Sequence, residues 1–408
     1  MRANASRATV AVIGAGIVGA AIALELRKRG QDVLLVDRDE PGHGCSFGNS
    51  GAISPGSVAP LAMPGVLASV PAMLLDPESP LRVPLAYLPR ALPWLMRFVA
   101  SATPRNVERA AARLNALHAG AVARHLALAR DVGVPELVIV RGHLHLYPNA
   151  AALAKDAAGW NLRREYGVGV ERLDRAGIAA LEPSVHERYT VGMHLADHGT
   201  VLNPYRYVQA IVRAFLARGG DVRRADVTAI VRDDDHWMLA TSDGPVACRT
   251  VVVAAGAWSR SLLDSQGLRL PLETQRGYHV EFEGEAPVSR TVVLADRKAF
   301  VTPMETGVRV GGTVEIAGLS APPDWRRAES LARAAREAFP AMAGSPVRQW
   351  MGHRPCLPDS VPFIGPVPNR EGLFAAVGHG HLGLTDAPAT AEWIADAVGR
   401  QCATETRR

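Results

Sequence analysis

Three glycines and one aspartate carry the first readable chemistry of this chain. Gly14, Gly16 and Gly19 follow an apolar run (residues 10–13) in a Gly-x-Gly-x-x-Gly pattern, and Asp37 ends a second apolar run 18 residues after Gly19. Each glycine of such a turn has a separate use: a tight bend, close backbone approach to a pyrophosphate, and close helix–strand packing. Ala15, Ile17 and Val18 complete the turn, so that its amides open a helix whose N-terminus favours an anion. Asp37, with Arg38 beside it, stands where a carboxylate accepts hydrogen bonds from ribose hydroxyls and repels a 2′-phosphate. The pattern is that of an adenine-dinucleotide site.

Other chemistries are poorly represented. No Ser/His/Asp or Cys/His nucleophile arrangement is readable. Cys45, Cys248, Cys356 and Cys402 lie far apart without a Cys-x-x-Cys pair, so they read as reduced intracellular thiols. His379 and His381 are spaced like metal ligands but lack a third ligand in motif spacing, and no metal is expected. A net charge of +5 mildly favours anionic ligands. Without basic runs interleaved with aromatics, it does not point to nucleic acid. Apolar content of 48% and charged content of 21% suit a soluble globular protein. The uncharged stretch 10–24 is too short to span a membrane, and no export signal is readable, so the expected location is cytoplasmic.

The elements that must position these residues follow from periodicity. Residues 10–37 form a β-α-β unit, followed by a loop of small and hydroxyl residues over 42–51. Ten prolines between Pro55 and Pro104 should break any long helix there. That apolar stretch reads as a lid, a partner surface, a membrane-facing patch or an ordinary packed excursion. Helical patterns cover 104–131 and 150–166, with strand alternation over 137–147. A helix starts at Asn203-Pro204 and stops at Gly219-Gly220. Short strands near 221–231 and 236–242 precede a second buried strand, 250–253, which runs into a turn containing Gly256 and Trp258. Alternating strands over 270–313 and a helix over 324–338 come next, then a strand (373–377), a glycine-rich loop (378–383) and a helix (385–399). The dinucleotide-binding sheet is thus assembled from three separated stretches. Simple NAD dehydrogenases keep their strands contiguous, whereas a C-terminal glycine-rich return suits FAD, whose flavin end must be held by distant parts of the chain.

With these stretches the chain resembles the FAD-dependent D-amino acid oxidase/dehydrogenase family, which includes sarcosine and glycine oxidases. Beyond Gly14, Gly16, Gly19 and Asp37, the likeness rests on Ser46-Phe47-Gly48-Asn49-Ser50-Gly51-Ala52-Ile53-Ser54-Pro55 and Arg276-Gly277-Tyr278. It rests also on Gly352-His353-Arg354-Pro355-Cys356-Leu357-Pro358-Asp359 and Gly378-His379-Gly380-His381-Leu382-Gly383. The Ser-Phe and Arg-Pro stretches are most similar to the bacterial D-amino acid dehydrogenase branch. The resemblance implies an α/β (α+β overall) fold: a discontinuous glutathione-reductase-like FAD-binding Rossmann domain and a substrate domain with a mainly antiparallel sheet. The expected boundaries are 1–55, 190–265 and 345–408 for the first, and 56–189 and 266–344 for the second.

The implied activity is hydride transfer from Cα to flavin N5, giving an imino acid that water converts to a 2-oxo acid. Arg354 is then the expected carboxylate clamp, because a guanidinium binds a carboxylate bidentately. Tyr278 either closes the pocket, bonds the carboxylate, or is a buried strand tyrosine; Arg276 and His353 are weaker candidates. For FAD, Ser46, Asn49, Ser50 and Gly51 are expected near the pyrophosphate, ribityl or ring region, and Val227 beside the adenine. Gly256 and Trp258 should lie near the cofactor, and Gly380, His381, Leu382 and Gly383 at the isoalloxazine edge. Cys356 sits at a different offset from the family's attachment cysteine, so FAD is expected to be non-covalent. The substrate is a small amino acid, a D-amino acid first. Sarcosine, glycine, proline or hydroxyproline on the same fold is the alternative, and a non-catalytic flavin-binding protein a distant one. Electrons pass to a quinone, a carrier or oxygen, and residues 54–100 offer a peripheral contact at the inner face of a membrane.

Overall fold

The computed structural model describes residues 6–64, 81–342 and 347–405. The first apolar run is the strand Ser6–Ile13, flanked in parallel by Val33–Asp37 on one side and Val246–Val253 on the other. Asp221–Arg224 extends the sheet beyond Val33–Asp37, again in parallel. The free edge of Val246–Val253 is shared. Its first half pairs with the antiparallel hairpin Val227–Asp233/His236–Thr241, and its second half with the parallel strand Leu373–Val377. The central strands are buried on both faces and are therefore apolar over 10–13, 33–36, 251–253 and 373–377. One face packs on the helices Ile17–Lys28, Pro204–Ala217 and Gly383–Glu405. As the sequence pattern predicts, the strands come from three separated stretches.

Among the described residues the second sheet has nine strands and is antiparallel except where Thr291–Leu294 meets His143–Tyr147 and Gly307–Glu315 meets Leu81–Arg82. Its path begins Val347–Cys356, Glu273–Glu283, Gly307–Glu315, Ala299–Met304. Two strands that the sequence reading places with the nucleotide-binding part belong here instead. Val191–Leu195 pairs with His143–Tyr147, and Val347–Cys356 pairs along its length with Glu273–Glu283. The helix Ala121–Asp131, expected in the substrate part, packs on Gly383–Glu405 of the first core. The sequence pattern marks no strand at 191–195 or 347–356, and the core that a strand or a helix joins is set by contacts far along the chain.

Local breaks also differ from the sequence pattern. The helical stretch 104–131 is two helices, Pro104–His118 and Ala121–Asp131, parted by Gly120 at φ +68°. Residues 150–165 divide at Asp156, and 137–147 splits into Val138–Ile139 and His143–Tyr147, which join different sheets around Gly142 at φ +76°. Within the proline-rich stretch, Leu88–Ser101 is helical despite Pro93. Pro89 sits in the first turn, where its missing N–H costs nothing, and buried Ala91 and Trp94 anchor the helix on Val83 and Ile316. The rest of that stretch, 65–80, lies outside the described residues.

Candidate active site

The glycine turn is a place where backbone meets backbone. Gly14 has φ +105°, and a Cβ there would stand 2.4 Å from the Ala254 carbonyl oxygen. A Cβ on Gly19 would stand 1.8 Å from the Gly14 carbonyl oxygen. The amides that follow converge on a small polar seat. Ala15 N–H donates to Asp37 Oδ2 at 2.6 Å, and Ile17 N–H donates to Ser46 Oγ at 2.9 Å. Asp39 N–H donates to the other Asp37 oxygen at 3.0 Å, and burial holds this carboxyl above its ordinary range. Ala225 N–H donates to the Asp37 carbonyl at 2.7 Å, which brings the start of the Val227 strand alongside. Arg38 lies over the Trp258 ring at 4.0 Å, next to Gly256 at φ +55°. A glycine cradle, a helix N-terminus and a half-buried carboxylate at the end of the adjoining strand fit a dinucleotide.

The second sheet faces this seat with alternate residues. Gln275, Gly277 and His279 on one strand pair with Arg354, Gly352 and Trp350 on the next. The half-buried Arg354 guanidinium lies over Gly277, where a Cβ would be 2.0 Å from its Cζ. It donates to the Thr313 carbonyl at 2.8 Å and to the Gly312 carbonyl at 3.4 Å, and among the described residues no carboxylate pairs with it. Those carbonyls are presented by a bulge: the register of Gly307–Glu315 against Glu273–Glu283 shifts between Arg276 and Tyr278. Thr313 sits in it at φ +58°, a conformation costly for a β-branched residue and found where function over-determines the backbone. Burial pushes the Arg354 pKa down, with the thiols of Cys45 and Cys356 nearby opposing the shift. Burial likewise raises Cys45 to about 11.

Two loops are tied to this face. Gly380 N–H donates to the Pro355 carbonyl at 2.8 Å, and His379 forms a bridge to Cys356, so the 378–383 loop is joined directly to the Arg354 strand. Leu382 precedes and Gly383 opens the C-terminal helix, whose amides point back to that loop. His381, on the same loop, is exposed to solvent. The 46–51 loop folds on itself, with Gly51 N–H donating to Asn49 Oδ1 at 2.8 Å. Ser50 Oγ lies 2.5 Å from where a Gly311 Cβ would stand.

Sequence reasoning missed the clamp on that loop. Arg309 donates to the Phe47 carbonyl at 3.1 Å and the Asn49 carbonyl at 2.5 Å, and its Nε donates to Glu281 at 2.9 Å. His279 Nδ1 lies 3.1 Å from the Gly48 carbonyl. Burial and the Arg309 charge lower the His279 pKa to about 3, so the ring is neutral and Nδ1–H donates. The signal is the cross-strand pairing of Glu281 with Arg309, which no local motif encodes.

Tyr278 requires a correction. It points to the opposite face, fully buried, with its hydroxyl donating to Glu315 at 2.6 Å and accepting from Asp324 N–H at 2.9 Å. Between Gly277 and His279 on a pleated strand it cannot also face the cleft. Arg276 shares that far side, donating to the carbonyls of Gly318, Ala321 and Pro322 and paired with Glu315. His353 contacts Thr274 at 3.0 Å and the Trp258 ring rather than the Arg354 cleft. Among the described residues, no group of three or more His, Cys, Asp or Glu side chains could hold a metal ion.

Comparison with known proteins agrees with this geometry. Residues 9–397 match the family model described as FAD dependent oxidoreductase. The chain is 39% identical over 402 residues to a D-amino-acid oxidase of Bradyrhizobium diazoefficiens, covering 96% of this chain and 95% of that protein. It is 32% identical over 403 residues to a D-amino acid dehydrogenase of Phenylobacterium zucineum, covering 96% and 94%. Among solved structures, glycine oxidase from Geobacillus kaustophilus matches with a TM-score of 0.74 at 23% identity, covering 97% of this chain and 95% of that one. L-proline dehydrogenase from P. horikoshii matches with a TM-score of 0.75 at 17% identity, covering 97% and 94%. These two likenesses speak for the fold. The chain belongs to the FAD dependent oxidoreductase family.

Proposed function

We propose that this chain oxidises the Cα–N bond of a small amino acid, a D-amino acid first, to an imino acid that water hydrolyses to a 2-oxo acid and ammonia. The observation that carries this reading is the Arg354 guanidinium, half-buried beside the 378–383 loop and without a carboxylate partner among the described residues. Gly312 and Thr313 fix its plane and leave its remaining N–H groups for a ligand carboxylate. Seating the carboxylate fixes where Cα–H stands, which is the orientation a transfer reaction needs. Bound FAD supplies the two-electron acceptor for this oxidation. Gly14, Gly16, Gly19, Asp37 and Ser46 would hold its dinucleotide. The Gly380 and Leu382 amides are spent on the Pro355 and His379 carbonyls, so the N-terminus of the long helix that opens at Gly383 would place positive potential at the flavin ring edge.

A secondary amine is the second reading, favoured by the fold shared with glycine oxidase and L-proline dehydrogenase. Anaerobic titration of the purified holoprotein with D-amino acids, L-amino acids, sarcosine, glycine, proline and hydroxyproline separates the readings. Bleaching of the flavin bands by D-amino acids alone is the expected result. Bleaching by secondary amines alone would replace the first reading with the second.

The electron acceptor belongs to the same proposal: a quinone, a carrier or oxygen, met at the inner face of a membrane through the 54–100 segment. The exposed side chains of Leu85, Leu92 and Met96, flanked by Arg90 and Arg97, support that contact. Among the described residues no helix is long and apolar enough to cross a membrane. Co-sedimentation with phosphatidylglycerol vesicles, lost in the Leu92→Glu/Met96→Glu double variant, is the expected behaviour. Equal pelleting with and without vesicles would exclude the contact.

A further inference from the structure

On the cleft face of the second sheet, Trp350 and Arg354 stand on either side of Gly352, and Gly277 lies directly across from Gly352. Both long side chains lean over this glycine pair. A Cβ on Gly277 would lie 2.0 Å from Arg354 Cζ, and a Cβ on Gly352 would lie 2.0 Å from Trp350 Cη2. Opposed Cβ positions in an antiparallel pair are about 4.5–5.5 Å apart, so the guanidinium carbon and the indole edge stand within about 9.5 Å of each other. A carboxylate in bidentate contact with Arg354 would put the first side-chain carbon of an amino acid roughly 6 Å from Cζ. A side chain that runs from that carbon over Gly352 meets the indole edge.

The indole is also braced. It stacks on His279 with centroids 5.0 Å apart and planes 18° from parallel. It presses on Gly48, where a Cβ would be 2.1 Å from the ring. His279 is itself bonded to the Gly48 carbonyl. A ring held on two sides presents a fixed edge rather than an adaptable one.

We propose that Trp350 sets the substrate range: its indole edge ends the space open to the side chain of an amino acid seated on Arg354, so that small side chains are accepted and long ones refused. This deepens the amino-acid reading above and rests on it. The competing role is structural, with the indole only covering the 47–49 backbone. The two separate in selectivity, because loss of cover weakens every ligand alike, whereas removing a wall favours the long ones. A side-chain methylene that a pocket cannot accept costs on the order of tenfold to two-hundredfold in kcat/KM.

The test compares the wild-type holoprotein with Trp350→Phe and Trp350→Ala, using D-alanine and D-norleucine as substrates. In parallel, acetate, butyrate and hexanoate are titrated as dead-end ligands, followed by the shift of the flavin absorption bands. The expected result for Trp350→Ala is a rise of tenfold or more in the norleucine-to-alanine ratio of kcat/KM, and a comparable gain for hexanoate over acetate in Kd. Trp350→Phe should lie between, since it keeps an aromatic ring on His279, and it decides the matter if the alanine variant loses its flavin. Ratios within twofold of wild type in both variants, with all ligands weakened together, would overturn the proposal. A wild-type protein that oxidises neither amino acid, yet binds carboxylates with a length limit relieved by the variants, would overturn the substrate reading and leave the wall standing.

Discussion

The two halves of the cleft work by different means. At Gly14 and Gly19 the close contacts are backbone on backbone, and the hydrogen-bond partners of the Ala15 and Ile17 amides, Asp37 and Ser46, lie nearby along the chain. On the facing sheet the work falls to side chains, and the partners of Arg354 lie on other strands, such as Gly277 and Thr313. The first half has no room for a Cβ at Gly14 or Gly19 and adds only the short side chains of Asp37 and Ser46 to its amides. The second half relies on long side chains. A constant dinucleotide can be served by the first, whereas variation among ligands has to be met by the second.

This contrast can be broken in several ways. The largest effect belongs to Gly19→Ala, whose Cβ would sit 1.8 Å from the Gly14 carbonyl oxygen. The variant is expected to purify without flavin, read as absorbance per mole of protein, and full retention would remove the argument for a closed backbone cradle. Next comes Arg354→Ala, which should keep its flavin and lose roughly a thousandfold in kcat/KM on amino acids, as loss of a charged partner in a shielded site does. Unchanged turnover would sink the clamp.

A smaller effect comes from His279, whose pKa falls from 6.5 to about 3 on folding. The unfolded chain binds the proton that the folded one refuses, so this contribution to stability is intact above pH 6.5 and is lost as the pH falls towards 3. His279→Gln should flatten the loss of unfolding free energy between pH 7 and pH 5 by about 2 kcal/mol in denaturant titrations. An unaltered pH slope would contradict a neutral, buried imidazole. The smallest effect should be Tyr278→Phe, with kcat/KM within about threefold of wild type and stability lower by about 1 kcal/mol, because Asp324 N–H and Glu315 lose a buried partner. A large fall in activity would put Tyr278 back in the cleft and blur the distinction between the two faces of the sheet.

What could be read beforehand follows the same division. Gly14, Gly16, Gly19 and Asp37 were legible because a strand, a turn, a helix and a strand follow one another along the chain and need no distant partner to define them. Arg354 was legible through its Arg-Pro stretch. The side of the sheet that Tyr278 faces was not, since it depends on the pleat of Glu273–Glu283 and on the bulge opposite. Arg309, Glu281 and Thr313 were invisible for the same reason: each acquires its role from pairing between strands whose register periodicity does not fix. The strands at 191–195 and 347–356 were not read as strands, and the sheet each joins is decided by contacts far along the chain.

The three-stretch construction of the first sheet has a consequence for how the protein is made. The second half of Val246–Val253 has no partner on its free edge until Leu373–Val377 has been synthesised, and Ile17–Lys28 packs on a helix that begins only at Gly383. A nascent chain several hundred residues long therefore carries an exposed apolar face beside a glycine turn that is already formed. Contacts of such sequence separation are slow to form and leave strand edges open to aggregation in the meantime. Cofactor capture becomes a late event that waits for the Gly383–Glu405 helix, and soluble yield should respond to chaperone supply and to flavin present during refolding.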